Sequence, residues 1–362
     1  MINRKPIYVT KPYLPDINKY KNYIDLIYSS GQLTNDGNLV QELEKRLEDY
    51  LDVKNVVCVS NGTMALQLAY KALELQGEVI TSPFSFIATT SSLIWDNLKP
   101  AFVDIDKKTL NLDFRKITPL INKNTSAILP VHVFGNPCEV EKIEDIVSQN
   151  KIKLIYDASH AFGVKYKGRS VLSYGDISTL SFHATKLFHT IEGGALVCKS
   201  DDLAEKIKQM RNFGFNRGNI QGLGINAKMN EFQAAMGICI LDDIDLIRKK
   251  RQQVWEIYRE ELQNIIEFQV WNPNSLNNYA YAPIILNSEK DLLSIDRKLQ
   301  EINIFSRRYF YPSLDSIKFI KGKRNSLNSI DISSRIMCLP LYENLELEDI
   351  SRIIATIKKN LV

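Results

Sequence analysis

Cysteine is scarce in this sequence: Cys58, Cys138, Cys198, Cys239 and Cys338 are odd in number, far apart and without a C-x-x-C spacing. That pattern disfavours both a disulfide framework and a thiolate zinc site, and no metal is expected; the five read as small core residues. No stretch approaches the ~18 apolar residues of a membrane span, and the opening MINRKPIYVTKPYLPD has a basic start with no apolar run behind it. A cytoplasmic address is the expectation. Charge of one sign is not in excess either, since 46 Lys and Arg face 42 Asp and Glu. Neither nucleic acid nor a membrane is therefore an expected partner, and short basic runs such as 248–251 read as solvated helix faces. The chain also lacks the P-loop pattern G-x-x-x-x-G-K-[ST], and its Gly222-Leu223-Gly224 follows no predicted strand, so neither nucleotide-binding fingerprint applies. Internal repeats and low-complexity tracts are absent.

What is present is alternation. Seven short apolar runs, at 55–59, 78–82, 101–106, 127–135, 153–157, 177–183 and 195–199, are separated by amphipathic stretches such as 39–51, 63–75 and 138–148. Near-continuous apolar strands are those buried on both faces by helices, so the class is α/β with a largely parallel sheet. From Met229 the residues Phe232, Ala235, Met236, Cys239 and Ile240 follow a helical stripe, and the pattern runs on to about Leu262. A helix of that length suits a bridge between domains. With 362 residues to place, the expectation is a large domain over 1–245, including an N-terminal arm, and a smaller α+β domain over 246–362.

Three segments carry chemistry-bearing residues. In the first, the strand at 55–59 runs through Ser60-Asn61-Gly62-Thr63 into a helix. Such a start is either an ordinary N-cap or an anion site facing free amides and the positive end of the helix dipole. In the second, Asp157 ends a strand predicted to be central, at the sheet edge where α/β ligand sites lie, or else it caps the next turn. In the third, LSFHATKLFHTIEGGALV, Lys186 sits among apolar residues. It either snorkels to solvent or is a desolvated amine with a lowered pKa, competent to form a Schiff base.

In this order the segments NGTMAL (61–66), SPFSFIATT (82–90), PAFVDID (100–106), AILPVHVFGNP (127–137), YDASHAFG (156–163), SFHATK (181–186), EGGA (192–195) and NAKMNEFQAAMG (226–237) resemble the DegT-type sugar aminotransferases. Those are pyridoxal-phosphate enzymes of fold type I, and the resemblance spans essentially the whole chain. It implies a Schiff-base role for Lys186 and pairing of Asp157 with the cofactor's ring nitrogen. It further implies phosphate contacts from Gly62, Thr63 and Ser181, a stacking role for Phe86 and a place for His160 near the phenolic oxygen. Asn226 would reach the phosphate of a neighbouring subunit, which implies a homodimer with shared sites. A dehydratase branch of the same fold carries histidine at the lysine position, and Lys186 speaks against it; the intact Lys186, Asp157 and Ser181 speak against a noncatalytic regulatory protein.

The segments GQLTNDG (31–37), SRRYFYP (306–312) and CLPLY (338–342) resemble most the 4-aminotransferases of this family. They imply amination of dTDP-4-keto-6-deoxyglucose to dTDP-4-amino-4,6-dideoxyglucose for a surface polysaccharide such as a lipopolysaccharide O-antigen, with L-glutamate as donor. The alternative is 3-amination of a dTDP-3-keto-6-deoxyhexose. Arg307 and Arg308 offer a cationic fork for the diphosphate, with Tyr309 against the sugar or base, unless all three simply pack the small domain.

Overall fold

Seven short strands, buried along most of their length, form the centre of the computed structural model, which describes residues 5–320 and 326–361. They are β1 (Val56–Val59), β2 (Glu78–Thr81), β3 (Lys99–Phe102), β4 (Thr125–Leu129), β5 (Lys153–Asp157), β6 (Ile177–Ser181) and β7 (Gly194–Cys198). Their spatial order is β1-β7-β6-β5-β4-β2-β3. Only β7 runs antiparallel to its neighbours; every other pairing is parallel. Each of the seven predicted strands is found, with two shifts. The strand expected at 101–106 lies at Lys99–Phe102, and the one expected at 127–135 stops at Leu129. Pro130 has no N–H to give to a ladder and interrupts the strand; pairing resumes at a single Val131–Asp157 bridge before the chain turns at Val133–Gly135.

Alternation along the strands separates two cores. Val57, Val59 and Leu196 face the helices α3 (Gly62–Ala72) and α6 (Asp201–Met210), whereas Val56, Cys58 and Val197 face α2 (Asn38–Leu51) and the long helix α7 (Glu231–Leu262). All five cysteines are buried free thiols. Helix α7 starts at a capping box, in which Asn230 accepts from the Gln233 amide and the Gln233 side chain accepts from the Asn230 amide. Its first half packs Ala234, Ile238 and Leu241 on the sheet core. Its second half gives Val254, Tyr258 and Leu262 to a third core with α8 (Glu289–Glu301) and α10 (Leu347–Leu361). The division expected after residue 245 falls inside this unbroken helix. The chain's start joins the C-terminal core, with Ile7–Tyr8 pairing parallel to Ile304–Phe305. In return Tyr281, Phe310 and Cys338 pack into the sheet core. The result is the expected α/β architecture with a smaller C-terminal α+β portion. The remaining α-helices of the described residues are α1 (Ile17–Ser30), α4 (Ile87–Trp95), α5 (Val140–Asn150) and α9 (Leu327–Arg335), and no helix among those residues is long and apolar enough to cross a membrane.

Candidate active site

A cleft of about 240 Å³ opens beyond the carboxyl ends of the parallel strands. Asn61, Gly62 and Thr63 enter it from the β1–α3 junction, and Ser85, Phe86 and Thr89 from the start of α4 (Ile87–Trp95). Asp157 and His160 come from the end of β5, and Ser181, Lys186 and Glu192 from the β6–β7 loop. Tyr281, Arg307, Tyr309 and Phe310 close it from the C-terminal part.

One end suits an anion. The Asn61 side chain accepts from the Met64 amide at 2.9 Å and so caps α3. The first-turn amides of Gly62 and Thr63 have no intrahelical carbonyl to bond, and they carry the positive end of the helix dipole. Ser181, at the end of β6, lies against this turn: a Cβ at Gly62 would stand 2.9 Å from the Ser181 Cβ. Gly194 makes the approach possible from the other side. It is the register partner of both Val59 and Ser181, and a Cβ on it would meet the Asn61 carbonyl carbon at 2.6 Å. Gly194 is thus needed where helix start and strand start cross.

The middle of the cleft holds opposite charges. Asp157 is 5% exposed and makes no ion pair among the described residues. Its Oδ2 accepts from the Thr89 hydroxyl at 2.7 Å and its Oδ1 from the Ser159 amide at 3.1 Å. The Thr89 oxygen is itself 2.7 Å from the Ser85 hydroxyl. With Thr89 donating to the carboxylate, Ser85 donates to Thr89, and the relay fixes the carboxylate's orientation. A carboxylate this buried calls for a cation, and none of the described residues supplies one within ion-pair reach. Lys186 is held because Leu187 and Phe188 on its C-terminal side are buried, Phe188 stacking on Phe162 at 4.5 Å. Its Nζ donates to the Tyr281 hydroxyl at 3.2 Å. Burial pushes its pKa down to about 8, against the opposing pull of Asp157.

His160 is buried, and its Nδ1 accepts from the Phe134 amide at 3.2 Å. Desolvation, with the nearby Lys186 and His132, holds its pKa well below the usual histidine value. The ring is therefore neutral with its proton on Nε2, a donor. Phe86 is 49% exposed with its ring at the cleft, an arrangement that leaves one face for a planar ligand.

One expected site residue is placed differently. Arg307 and Tyr309 line the cleft, but Arg308 does not: its Nη2 donates to Glu289 at 2.7 Å and to the Ser334 carbonyl at 2.9 Å. The Tyr309 amide bonds the Arg307 carbonyl at 3.0 Å, a tight turn centred on Arg308 that sends the adjacent arginines to different partners, so they do not form a fork on this cleft. Tyr311, likewise, lies under Arg308, 3.5 Å from ring centroid to guanidinium carbon. Asn226 is exposed and outside the cleft of its own chain. His189 is occupied elsewhere, its Nε2 bonded to the Tyr13 carbonyl at 2.9 Å. Thr89, Ser85, Tyr281 and Gly194 were not singled out from the sequence. Thr89 and Ser85 fall within SFIATT and Gly194 within EGGA, but Tyr281 has no motif around it.

The cleft thus offers an anion cradle, an uncompensated buried carboxylate, a low-pKa amine and a free aromatic face, which together fit the phosphate, ring nitrogen, carbonyl carbon and ring of pyridoxal phosphate. The sequence pattern of the DegT/DnrJ/EryC1/StrS aminotransferase family matches residues 16–358. The chain is 42% identical to a dTDP-4-amino-4,6-dideoxy-D-glucose transaminase of Shigella dysenteriae, over 98% of this chain and 99% of that protein. It is 37% identical to an Escherichia coli protein of the same name, over 97% and 98%. Among solved structures it resembles DesI, crystallised in the presence of its TDP-sugar product, with a TM-score of 0.94 and 31% identity over 98% of this chain and 93% of that one.

Proposed function

This chain belongs to the DegT/DnrJ/EryC1/StrS aminotransferase family, and from that premise we propose that it transfers an amino group from L-glutamate to C4 of dTDP-4-keto-6-deoxyglucose, giving dTDP-4-amino-4,6-dideoxyglucose. The observation that carries the choice of sugar is the 42% identity, over nearly the full length of both chains, to a transaminase named for that product. Pyridoxal phosphate is the cofactor, and when bound it supplies a carbon that bonds amines reversibly and a ring that takes up the electron pair left by a departing proton.

The chain's own residues have distinct parts in this reading. The amides of Gly62 and Thr63 and the Ser181 hydroxyl hold the phosphate. Asp157, oriented by Thr89 and Ser159, keeps the ring nitrogen protonated. His160 donates from Nε2 toward the phenolic oxygen, and Phe86 covers one ring face. Lys186 is the covalent anchor and, once released, moves the proton with its Nζ; an amine with a pKa of about 8 both accepts and gives up a proton near neutrality. Arg307 offers one cation to the substrate's diphosphate, and Tyr309 a flat surface beside it. Phosphate contact by Asn226 requires a second copy, so a homodimer with shared sites is part of the proposal, as are a cytoplasmic address and a place in O-antigen synthesis.

Incubation of the holoenzyme with glutamate and a panel of dTDP-, UDP- and GDP-keto-sugars, with NMR assignment of the carbon bearing nitrogen, tests the reading. The expected product is the 4-amino sugar on dTDP, with none formed by Lys186→Ala. Exclusive amination at C3 of a dTDP-3-keto-6-deoxyhexose, or preference for a UDP or GDP sugar, would replace the substrate assignment.

A further inference from the structure

Arg251 is a buried cation with no carboxylate of the described residues in ion-pair contact. It lies on α7, 4% exposed, and makes no ion pair among the described residues. Its Nε donates to the Tyr279 carbonyl at 2.9 Å and its Nη2 to the Ala280 carbonyl at 2.7 Å. Glu343 acts on it only through its field. Burying a guanidinium is costly, and two charge-assisted bonds to neutral carbonyls recover only part of that cost. A methionine would fill a similar space without the penalty, so what the arginine contributes is geometry: a planar fork that spans two consecutive carbonyls.

The segment it grips needs holding. Tyr279 sits at φ 57, in the left-handed region that a residue with a Cβ enters at a cost. The Asn277 Oδ1 accepts from the Tyr279 amide at 2.7 Å. On the far side Asn278 donates from Nδ2 to the carbonyls of His160 at 2.8 Å and Phe162 at 3.1 Å. The segment is therefore pinned to the β5 loop by Asn278 and to α7 by Arg251. Tyr281 leaves it one residue beyond the Arg251 fork. The Tyr281 ring stands edge-on to His160 with centroids 4.8 Å apart, and its hydroxyl accepts from the Lys186 Nζ.

We infer that Arg251 is a positioning residue for Lys186: by fixing the carbonyls of Tyr279 and Ala280 it aims the Tyr281 hydroxyl, which contacts the lysine nitrogen. The inference rests on the reading of Lys186 as the cofactor lysine. Other charged or titratable groups facing the amine are Asp157, His160, His183, Glu192, Arg307 and Tyr309. None of them touches Arg251, so a change at Arg251 reaches the lysine through Tyr281.

The test is a pH titration of the near-visible absorbance of holoenzyme without substrate, in Tyr281→Phe, Arg251→Met, Arg251→Lys and the Arg251→Met/Tyr281→Phe double variant. Tyr281→Phe is expected to move the titration midpoint by about half a pH unit or more. Arg251→Met should move it in the same direction, and the double variant no further, because both act on one contact. Arg251→Lys keeps the charge but loses the fork and should not restore the wild-type midpoint. A merely structural role would lower the melting temperature and leave the midpoint of the folded protein unchanged. Wild-type midpoints in the Arg251 variants, or additive shifts in the double variant, overturn the inference. Should Arg251→Met fail to fold, Arg251→Lys is read by the same criterion. A wild-type holoenzyme whose absorbance does not depend on Lys186 removes the premise, and Lys186→Ala identifies that separate failure.

Discussion

Lys186 gives up its proton more readily than a lysine in water because the folded chain desolvates its amine, and burial outweighs the attraction of Asp157. Without cofactor, acylation of Lys186, followed by peptide mass spectrometry across pH, should reach half its maximal rate near pH 8 rather than near the ordinary 10.5. The same shift links to stability. Between those two values the unfolded chain binds the proton and the folded chain does not, so apoenzyme stability rises with pH through that window and is lowest below it. Lys186→Met should flatten the rise in denaturant titrations; an unchanged slope would mean that the amine is solvated. His160 follows the same sign lower down: its folded pKa lies well below 6.5, so the unfolded chain takes up a proton there that the folded chain refuses, and stability falls as pH drops below about 6.5. At this scale the sequence is legible where a residue's setting is local. Lys186 among apolar neighbours and Asp157 at a strand end both line the cleft. The divergence of Arg307 from Arg308 is not legible, because a tight turn leaves the first in the cleft and sends the second to Glu289 and the Ser334 carbonyl. Nor is the Ser85–Thr89–Asp157 relay, which depends on how the first turn of α4 is rotated toward β5.

Where β1 gives way to α3, two backbones meet with no room for a side chain, and the anion cradle depends on that meeting. Gly62→Ala would set a methyl 2.9 Å from the Ser181 Cβ and 3.2 Å from its Cα, so helix start and strand end must separate. Overpacking of this kind costs on the order of 1–3 kcal/mol. Because it falls on the phosphate contacts, pyridoxal phosphate should bind about tenfold more weakly or worse, as read by fluorescence titration of the apoenzyme. A stability loss with unchanged cofactor affinity would place the phosphate elsewhere. Elements with a strong pattern are legible at this scale: buried apolar runs become the seven strands, and the stripe from Met229 becomes α7. Element ends are less so, as Pro130 shows. The helix at Ile87–Trp95 has no clear signature either, since its sequence IATTSSLIW carries little polar contrast between faces. Crossings such as Gly194 over Asn61 join residues more than 130 positions apart, and only the sheet order β1-β7-β6 brings them together.

An α/β class can be read from alternation within one chain, but the completeness of a site cannot when the group that would complete it belongs to a second copy of the same sequence. Asn226 lies outside its own cleft, beside a hairpin (Phe215–Asn216 with Asn219–Ile220) whose neighbourhood exposes Phe213, Ile220, Leu223 and Ile225. Apolar residues clustered in this way fit a surface that another protein covers. If a second copy covers it, Asn226 serves the partner's phosphate and each site draws on two chains. Mixing Lys186→Ala with Asn226→Ala chains under exchange conditions then yields heterodimers with unequal sites. One site lacks both groups, and the other has the lysine from one chain and the asparagine from its partner. Each parent variant should be nearly inactive alone, while an equal mixture at exchange equilibrium should recover about one quarter of the wild-type rate, since half the dimers are mixed and half their sites intact. Native mass spectrometry would verify that the heterodimers have formed. Inactive mixtures containing verified heterodimers would show that Asn226 acts within its own chain, and the shared-site arrangement would have to be abandoned while the chemistry assigned to Lys186 stands.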